Sequence, residues 1–410
     1  MKHLVAAIFI LSQISANGAT IVVGANEQVT TVPKGIEMAN NGDTVLIRKG
    51  TYYINNIILT KQITILGEDF PVLHGSGKYQ ILTISGRNIR IEKIHFTHAG
   101  YSSMNDLAAV KIVDSRYIVI ENNRFTHTYF AIHIANSADF TIRNNILQGV
   151  KESEQTTGNG IHLWKCSDAL IENNRASGHR DGIYFEFVTD SRIINNTSEN
   201  NIRYGLHFMF SNDDVYSGNT FRENGAGVAV MFSRKVTMNN NYFGKNWGPS
   251  SYGILLKEIS DSKILGNQFI RNTVAIYMEG SNRIEVSRNI FKDNGWASKV
   301  QASCNDNTFH HNNFIANTFD ISTNGSLVLN EFHSNYWDKY EGYDMNRDGI
   351  GDVPYRPVSM YSMLTEQNPN TLLLLRSFIV TLLEKAEKAI PSLTPENLKD
   401  SKPLMRSLKL

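Results

Sequence analysis

The chain has 410 residues, 41% apolar and 19% charged, and 40 basic against 39 acidic side chains leave a net charge of +1. Such a composition supports a large buried core and excludes a disordered or collagen-like chain. The even balance offers no basic field to a polyanion, so nucleic acid is not an expected partner.

Residues 1–18 place Lys2 and His3 ahead of an apolar run from Leu4 to Leu11, followed by small residues around Ala16. This is the pattern of a secretory signal peptide, too short to span a bilayer, and it implies an exported protein. From 19 to 340 the chain is governed by a repeat. The triplets NRF, NTF, NYF, NQF and NIF begin at Asn123, Asn219, Asn241, Asn267 and Asn289, with weaker copies at Asn145, Asn174, Asn196, Asn313 and Asn335. Fourteen residues before the asparagine lies a small residue and an apolar–any–apolar triplet, as at Gly160 before IHL, Gly182 before IYF and Gly205 before LHF. Length varies only between an asparagine and the next small residue, with insertions near VKESEQTT (150–157) and KNWGPSS (245–251). A period of 22 to 29 residues with insertions at one corner marks a solenoid. The segments between turn residues are too short for helices, so the expected fold is all-β, a parallel β-helix with equivalent residues stacked about 4.8 Å apart. Stacked asparagine amides should bond along the axis, and Phe125, Phe221, Phe243, Phe269 and Phe291 should form a core column. Residues 40–68 read as the opening coils, with an N-terminal strand helping to cover the open end.

Strand parity then assigns an outward column of Lys111, His133, His162, Tyr184, His207, Ala229, Leu255 and Tyr277. A second column, two residues on, reads Val113, Ala135, Trp164, Glu186, Met209, Met231, Lys257 and Glu279. In YGLHFMF, Leu206, Phe208 and Phe210 alternate as candidate core residues, which turns His207 and Met209 outward. Residues two apart on a strand are separated by about 6.6 Å and stacked ones by about 4.8 Å, so one imidazole and two thioethers (His207, Met209, Met231) are placed to share one ion. Soft thioethers with an imidazole select Cu(I). His162, Trp164, Tyr184 and Glu186 lie below as a supporting shell or docking surface. The rival assignment is that the methionines pack beneath a loop or partner.

Cys166 and Cys304 fall six coils apart, about 29 Å along the axis, and are expected as free thiols. Asp139, Asp168, Asp190, Asp213 and Asp261 recur at one repeat position and read as turn residues rather than an acid–base or Ca²⁺ cluster. Residues 341–369 form an acidic loop and linker. Here Asp344, Asn346, Asp348 and Asp352 match the first nine positions of a calcium loop, but Tyr355 stands where a bidentate glutamate belongs. Residues 370–410 form a C-terminal helix and tail. The helix, from Asn370 to Ile390, is interrupted by Arg376, too short to cross a membrane, and suited to partner docking or to capping the last coil.

The signal peptide, the asparagine coils, GLHFMFSNDDVYSGNTF, GVAVMFSR, NYWDKYEGYDMNRDGIGDVPYRP and the ending LLLRSFIVTLLEKAEKAIPSLTPENL resemble the NosD family over nearly the whole chain. The resemblance implies a right-handed β-helix of the carbohydrate-binding and sugar-hydrolase type. It further implies a periplasmic accessory protein for nitrous oxide reductase maturation, associated with the membrane through partner subunits. Those partners would be an ABC-type membrane subunit and its ATPase, a copper chaperone lipoprotein and the apo-reductase with its copper–sulfide centre. In that picture the protein is not an enzyme, and the segment 371–390 docks on the membrane subunit. The competing class is a carbohydrate-active β-helix of uronan lyase or epimerase type.

Overall fold

The computed structural model describes residues 18–102, 104–325, 329–390, 394–395 and 398–410. The expected signal peptide lies outside them apart from Gly18. The described residues form three parallel sheets of 14, 12 and 13 strands, each coil of the solenoid passing through all three in turn. The fold is the parallel β-helix that the repeat predicts.

Paired asparagines explain why the coil turns and why it stacks. The first of each pair takes a left-handed backbone, as at Asn122, Asn144, Asn173 and Asn195 with φ of 55–56°, a conformation asparagine tolerates better than most residues. The second is buried and bonds along the axis. Asn219 Oδ1 accepts the Asn196 main-chain N–H at 2.8 Å and its Nδ2 at 3.0 Å; Asn219 Nδ2 donates to Asn241 Oδ1 at 3.0 Å and to the Ile193 carbonyl at 2.9 Å. This chain of amides runs through Asn123, Asn145, Asn174, Asn196, Asn219, Asn241, Asn267, Asn289, Asn312 and Asn335. One expected rung is corrected: the ladder uses Asn312, not Asn313, because His311 takes the left-handed place of the first asparagine there. A second ladder, not anticipated, joins Asn201, Asn224, Asn246, Asn272, Asn294 and Asn317 at the next corner. Between the two ladders Phe221, Phe243, Phe269 and Phe291 stack as expected, with Phe243–Phe269 centroids 4.8 Å apart and Phe291–Phe314 4.7 Å, whereas Phe125 stacks on Phe96 and is separated from Phe221 by Leu147, Ala176 and Ser198.

The small residue before each outward-facing strand has a steric cause. The pairing skips it, passing from Tyr204↔Ala226 to Leu206↔Val228, and a Cβ on Gly205 would approach the Gly227 carbonyl oxygen to 2.6 Å. The chain bends there, so the residue ahead of the glycine joins the outward face.

Both ends are closed. Helix α1 (Val32–Met38), which no sequence pattern suggested, buries Val32, Gly35 and Ile36 at the start of the solenoid beside the first strand, Thr20–Val23. At the other end Asp400 replaces the next ladder asparagine: its Oδ2 accepts Asn335 N, Asn335 Nδ2 and Trp337 Nε1, each at 3.0 Å. The single helix expected from Asn370 to Ile390 is instead a 3₁₀ turn (Pro369–Leu374) and α3 (Phe378–Ala389), separated where Arg376 adopts φ of 66°. Helix α2 (Met360–Gln367) precedes them and lies on the last coils of the outward face. Its Glu366 binds Lys299 at 2.7 Å and Gln301 at 3.1 Å, and Tyr361 packs on Phe319. Cys166 and Cys304 are buried free thiols, as expected, and burial pushes the Cys166 thiol up to about 11.

Removing a ladder amide in mid-solenoid strands buried donors on one neighbour and an acceptor on the other, at a cost of about 3 kcal/mol. Asn219→Ala should therefore lower the urea midpoint of the whole solenoid. Asp400→Ala should chiefly expose the amides of residues 330–337, read by hydrogen exchange; equal, global exposure in both variants would contradict this division.

Candidate functional site

The outward columns fall as parity placed them. Lys111, His133, His162, Tyr184, His207, Ala229, Leu255 and Tyr277 are successive register partners, and so are Val113, Ala135, Trp164, Glu186, Met209, Met231, Lys257 and Glu279. His207, Met209 and Met231 thus share one face, with the methionines in adjacent coils and Ala229 stacked next to His207.

The face is less open than an outward column implies. His207 is only 5% exposed, and the methionines are half-buried. The bend at Gly205 brings Tyr204 onto the face, its ring centroid 4.8 Å from that of His207, while Tyr184 meets His207 edge-on at 4.9 Å. Asp181, the register partner of Tyr204, is wholly buried beside them. Arg203 grips it with two bonds, Nε to Oδ1 at 3.1 Å and Nη2 to Oδ2 at 2.8 Å. Burial raises the pKa of the Asp181 carboxyl, but His207 and the Arg203 fork outweigh that and hold it below the usual carboxylate range. His207 Nδ1 stands 3.7 Å from Asp181 Oδ2, too far for a hydrogen bond, so both imidazole nitrogens are buried without a hydrogen-bond partner. A polar ring left in that state is costly unless something else meets it.

Below His207 the column continues as a pile of rings. His133 and His162 have centroids 4.8 Å apart, and His162 and Tyr184 4.6 Å, with Phe130 edge-on to His162 at 5.2 Å. Asn159, from the first insertion, holds His162 Nδ1 at 3.1 Å. Tyr184 Oη donates to Glu186 Oε2 at 3.2 Å and reaches Met209 Sδ at 3.9 Å, so the Met209 thioether leans toward the histidine column. Trp164 lies under the Lys165 ammonium, 4.3 Å from the ring centroid.

Alternation also misled at the end of the strand. Phe210 is exposed rather than core: it adopts φ of 51°, and Phe187 and Phe232 do the same at 54° and 52° one coil to either side. The three rings stack with centroids 5.2 and 5.1 Å apart. Bulky side chains seldom occupy left-handed backbone, and here each directly follows Glu186, Met209 or Met231. The signal was in the sequence as FEF, FMF and VMF, a phenylalanine repeated at one place in three coils. The His–Met strip therefore runs between two borders, the insertions that precede these strands and the phenylalanine stack that follows them.

The remaining candidates separate. The aspartate column takes left-handed turns, φ of 54–59° at Asp139, Asp168, Asp190, Asp213 and Asp261, and pairs along the axis, Asp261 with Arg283 at 2.6 Å. In the acidic loop, Asp344 Oδ2 accepts Gly349 N at 2.9 Å, Asn346 Oδ1 accepts Asp348 N at 3.1 Å and Asp348 Oδ1 accepts Ile350 N at 2.8 Å. Asp352 Oδ2 closes the turn on Met345 N at 2.7 Å. Among the described residues no three His, Cys, Asp or Glu donors converge on a point. A cation in this loop thus needs Asn346 and main-chain oxygens, and a copper ion on the strip needs the thioethers.

Burial lowers the imidazole pKa to about 4 at His133 and about 3 at His162. An unfolded imidazole protonates near pH 6.5, so below about pH 6.5 the unfolded chain binds more protons and stability falls as the pH is lowered toward 4. The denaturant midpoint should drop across that window, and a His133→Asn/His162→Gln variant should show a shallower drop. An unchanged slope would contradict the burial of these rings.

The NosD family model, described as a periplasmic copper-binding protein, matches residues 149–342. A "Probable ABC transporter binding protein NosD" of Pseudomonas aeruginosa is 29% identical over 91% of this chain and 90% of its own length. The protein of that name from Stutzerimonas stutzeri is 26% identical over 93% and 90%. These matches uphold the NosD resemblance read from the sequence. Among solved structures, the A-module of the Azotobacter vinelandii mannuronan C-5 epimerase AlgE6 superposes with a TM-score of 0.63 at 14% identity, covering 75% of this chain and 95% of that one. PfbA, a surface adhesin of Streptococcus pneumoniae, gives 0.57 at 14% identity, covering 78% and 92%. At such identities the structural likeness concerns the fold alone. No described helix is long and apolar enough to cross a membrane.

Proposed function

Starting from a NosD-type chain, we propose that this protein is a periplasmic accessory factor for nitrous oxide reductase maturation that carries Cu(I) as cargo at His207, Met209 and Met231. One observation supports this above the others: a buried imidazole with neither nitrogen hydrogen-bonded, on the face and strand that present two register-paired thioethers. That donor set suits a soft monovalent ion. Asp181 and Arg203 fix the ground beneath His207, and Tyr184 and Glu186 steady Met209. The protein acts without catalysis of its own, alongside an ABC-type membrane subunit with its ATPase, a copper chaperone lipoprotein and the apo-reductase.

Two apolar surfaces suit those partners. Phe378, Ile379 and Leu382 of α3 are exposed, at 79%, 52% and 55%, and would meet the membrane subunit. The stack of Phe187, Phe210 and Phe232 beside the thioethers would seat the partner that gives or takes copper, excluding water during ligand exchange. The acidic loop would hold a structural Ca²⁺ through Asp344, Asn346, Asp348 and Asp352.

The copper reading is tested by competing the mature protein for Cu(I) against a chromophoric chelator. Met209→Ala and Met231→Ala should each weaken binding tenfold or more; unchanged affinity in both removes the site. Conversion of mannuronan, or release of unsaturated uronates from any polysaccharide, would instead assign the protein to the carbohydrate-active β-helices. For the loop, Tb³⁺ luminescence excited through nearby tyrosines should appear in the native chain and be lost in Asp344→Ala/Asp348→Ala, and Ca²⁺ should quench it by displacement. No signal displaceable by Ca²⁺ would leave the loop a plain turn.

A further inference from the structure

Consecutive side chains of an extended strand point to opposite faces, yet His310 and His311 face each other, with their Nδ1 atoms 2.9 Å apart. His311 occupies the left-handed corner position, φ of 55°, that Asn122, Asn144, Asn173, Asn195 and Asn240 fill in other coils. The turn there swings its ring back onto that of His310, the two planes crossing at 86°. On its far side His310 Nε2 lies 3.3 Å from Glu285 Oε1. That approach is within ion-pair range but is not a hydrogen bond, and Glu285 Oε1 accepts the Ser287 hydroxyl at 3.3 Å. His333, one coil on, stacks parallel to His310 with a centroid separation of 5.2 Å.

We infer that the Nδ1 atoms of His310 and His311 form a labile seat for a divalent transition-metal ion, Cu(II) or Ni(II). Metal–imidazole bonds of about 2.0 Å that meet at a right angle place their nitrogens about 2.8 Å apart, close to the spacing found. Right-angled nitrogen ligation belongs to square-planar or tetragonal Cu(II) and Ni(II) rather than tetrahedral zinc. Glu285 stands 3.3 Å from the other nitrogen of His310, on the side where ligating histidines commonly meet an outer carboxylate, and adds negative charge beside a bound cation. No third His, Cys, Asp or Glu donor among the described residues converges here, so the remaining positions are left to water or an incoming ligand. The seat lies on a different sheet from His207, Met209 and Met231 and shares no residue with them, so it stands or falls independently of the Cu(I) reading.

The test is Cu(II) titration of the mature, tag-free chain followed by electron paramagnetic resonance. One equivalent should give a tetragonal signal with hyperfine coupling to two imidazole nitrogens. His310→Gln/His311→Asn, in which asparagine suits the left-handed corner, should abolish that coupling and weaken Cu(II) binding at least tenfold. Glu285→Gln, which leaves both ligands in place, should weaken it several-fold. Ni(II) should compete for the seat more effectively than Zn(II). A spectrum without two-nitrogen coupling in the native chain, undiminished binding in the double variant, or preferential displacement by Zn(II) would overturn the assignment and leave the pair a hydrogen bond between neutral rings.

Discussion

Every feature of this molecule depends on amide-to-amide bonding along the solenoid axis. Each buried asparagine satisfies the main chain of one neighbouring coil and the side chain of the other, so a coil cannot slip in register without leaving several buried polar groups unpaired. Because the corners cannot slip, residues at equal repeat positions form columns about 4.8 Å apart. The proposed functional face is a product of that constraint. The coil has no need of histidine or methionine at those positions; it simply holds whatever stands there in line.

That rigidity explains how a strand face presents chemistry. His207 is enclosed by Tyr184, Tyr204 and the Asp181–Arg203 pair, all fixed by neighbouring coils. The thioethers at its side remain half-buried, bordered by three phenylalanines held in an unfavourable backbone conformation. Helices α2 and α3 settle on the far end of the same face, with Glu366 tying α2 to Lys299 and Gln301. One surface thus carries the soft donors, the aromatic border and the exposed apolar helix in sequence along a single axis.

The repeat made the solenoid and both outward columns legible because spacing and parity are properties of sequence order. His207, Met209 and Met231 could be placed on one face from periodicity alone, and the pairing agrees. What periodicity could not reveal was the bend at each small residue, since alternation is the rule the bend breaks. Tyr204 and Asp181 were therefore missed, and with them the enclosure of His207. Phe210 was misplaced for the opposite reason: alternation was carried one residue past the end of the strand, into a left-handed turn. The role of Asp400 was hidden because an aspartate after a helical segment carries no repeat around it, although it performs the work of a ladder asparagine. Asn312 was legible, since NNF at 312–314 fits the asparagine–any–phenylalanine triplet that ends in the stacked Phe314; the rung was placed one residue too late, on the second of two adjacent asparagines.

The most direct measurement is X-ray absorption at the copper edge on the Cu(I)-loaded mature protein. With His207, Met209 and Met231 as ligands, the nearest shell contains two sulfur scatterers and one imidazole. A shell of nitrogen and oxygen alone, or one that keeps its sulfur after both methionines are replaced, would contradict the account.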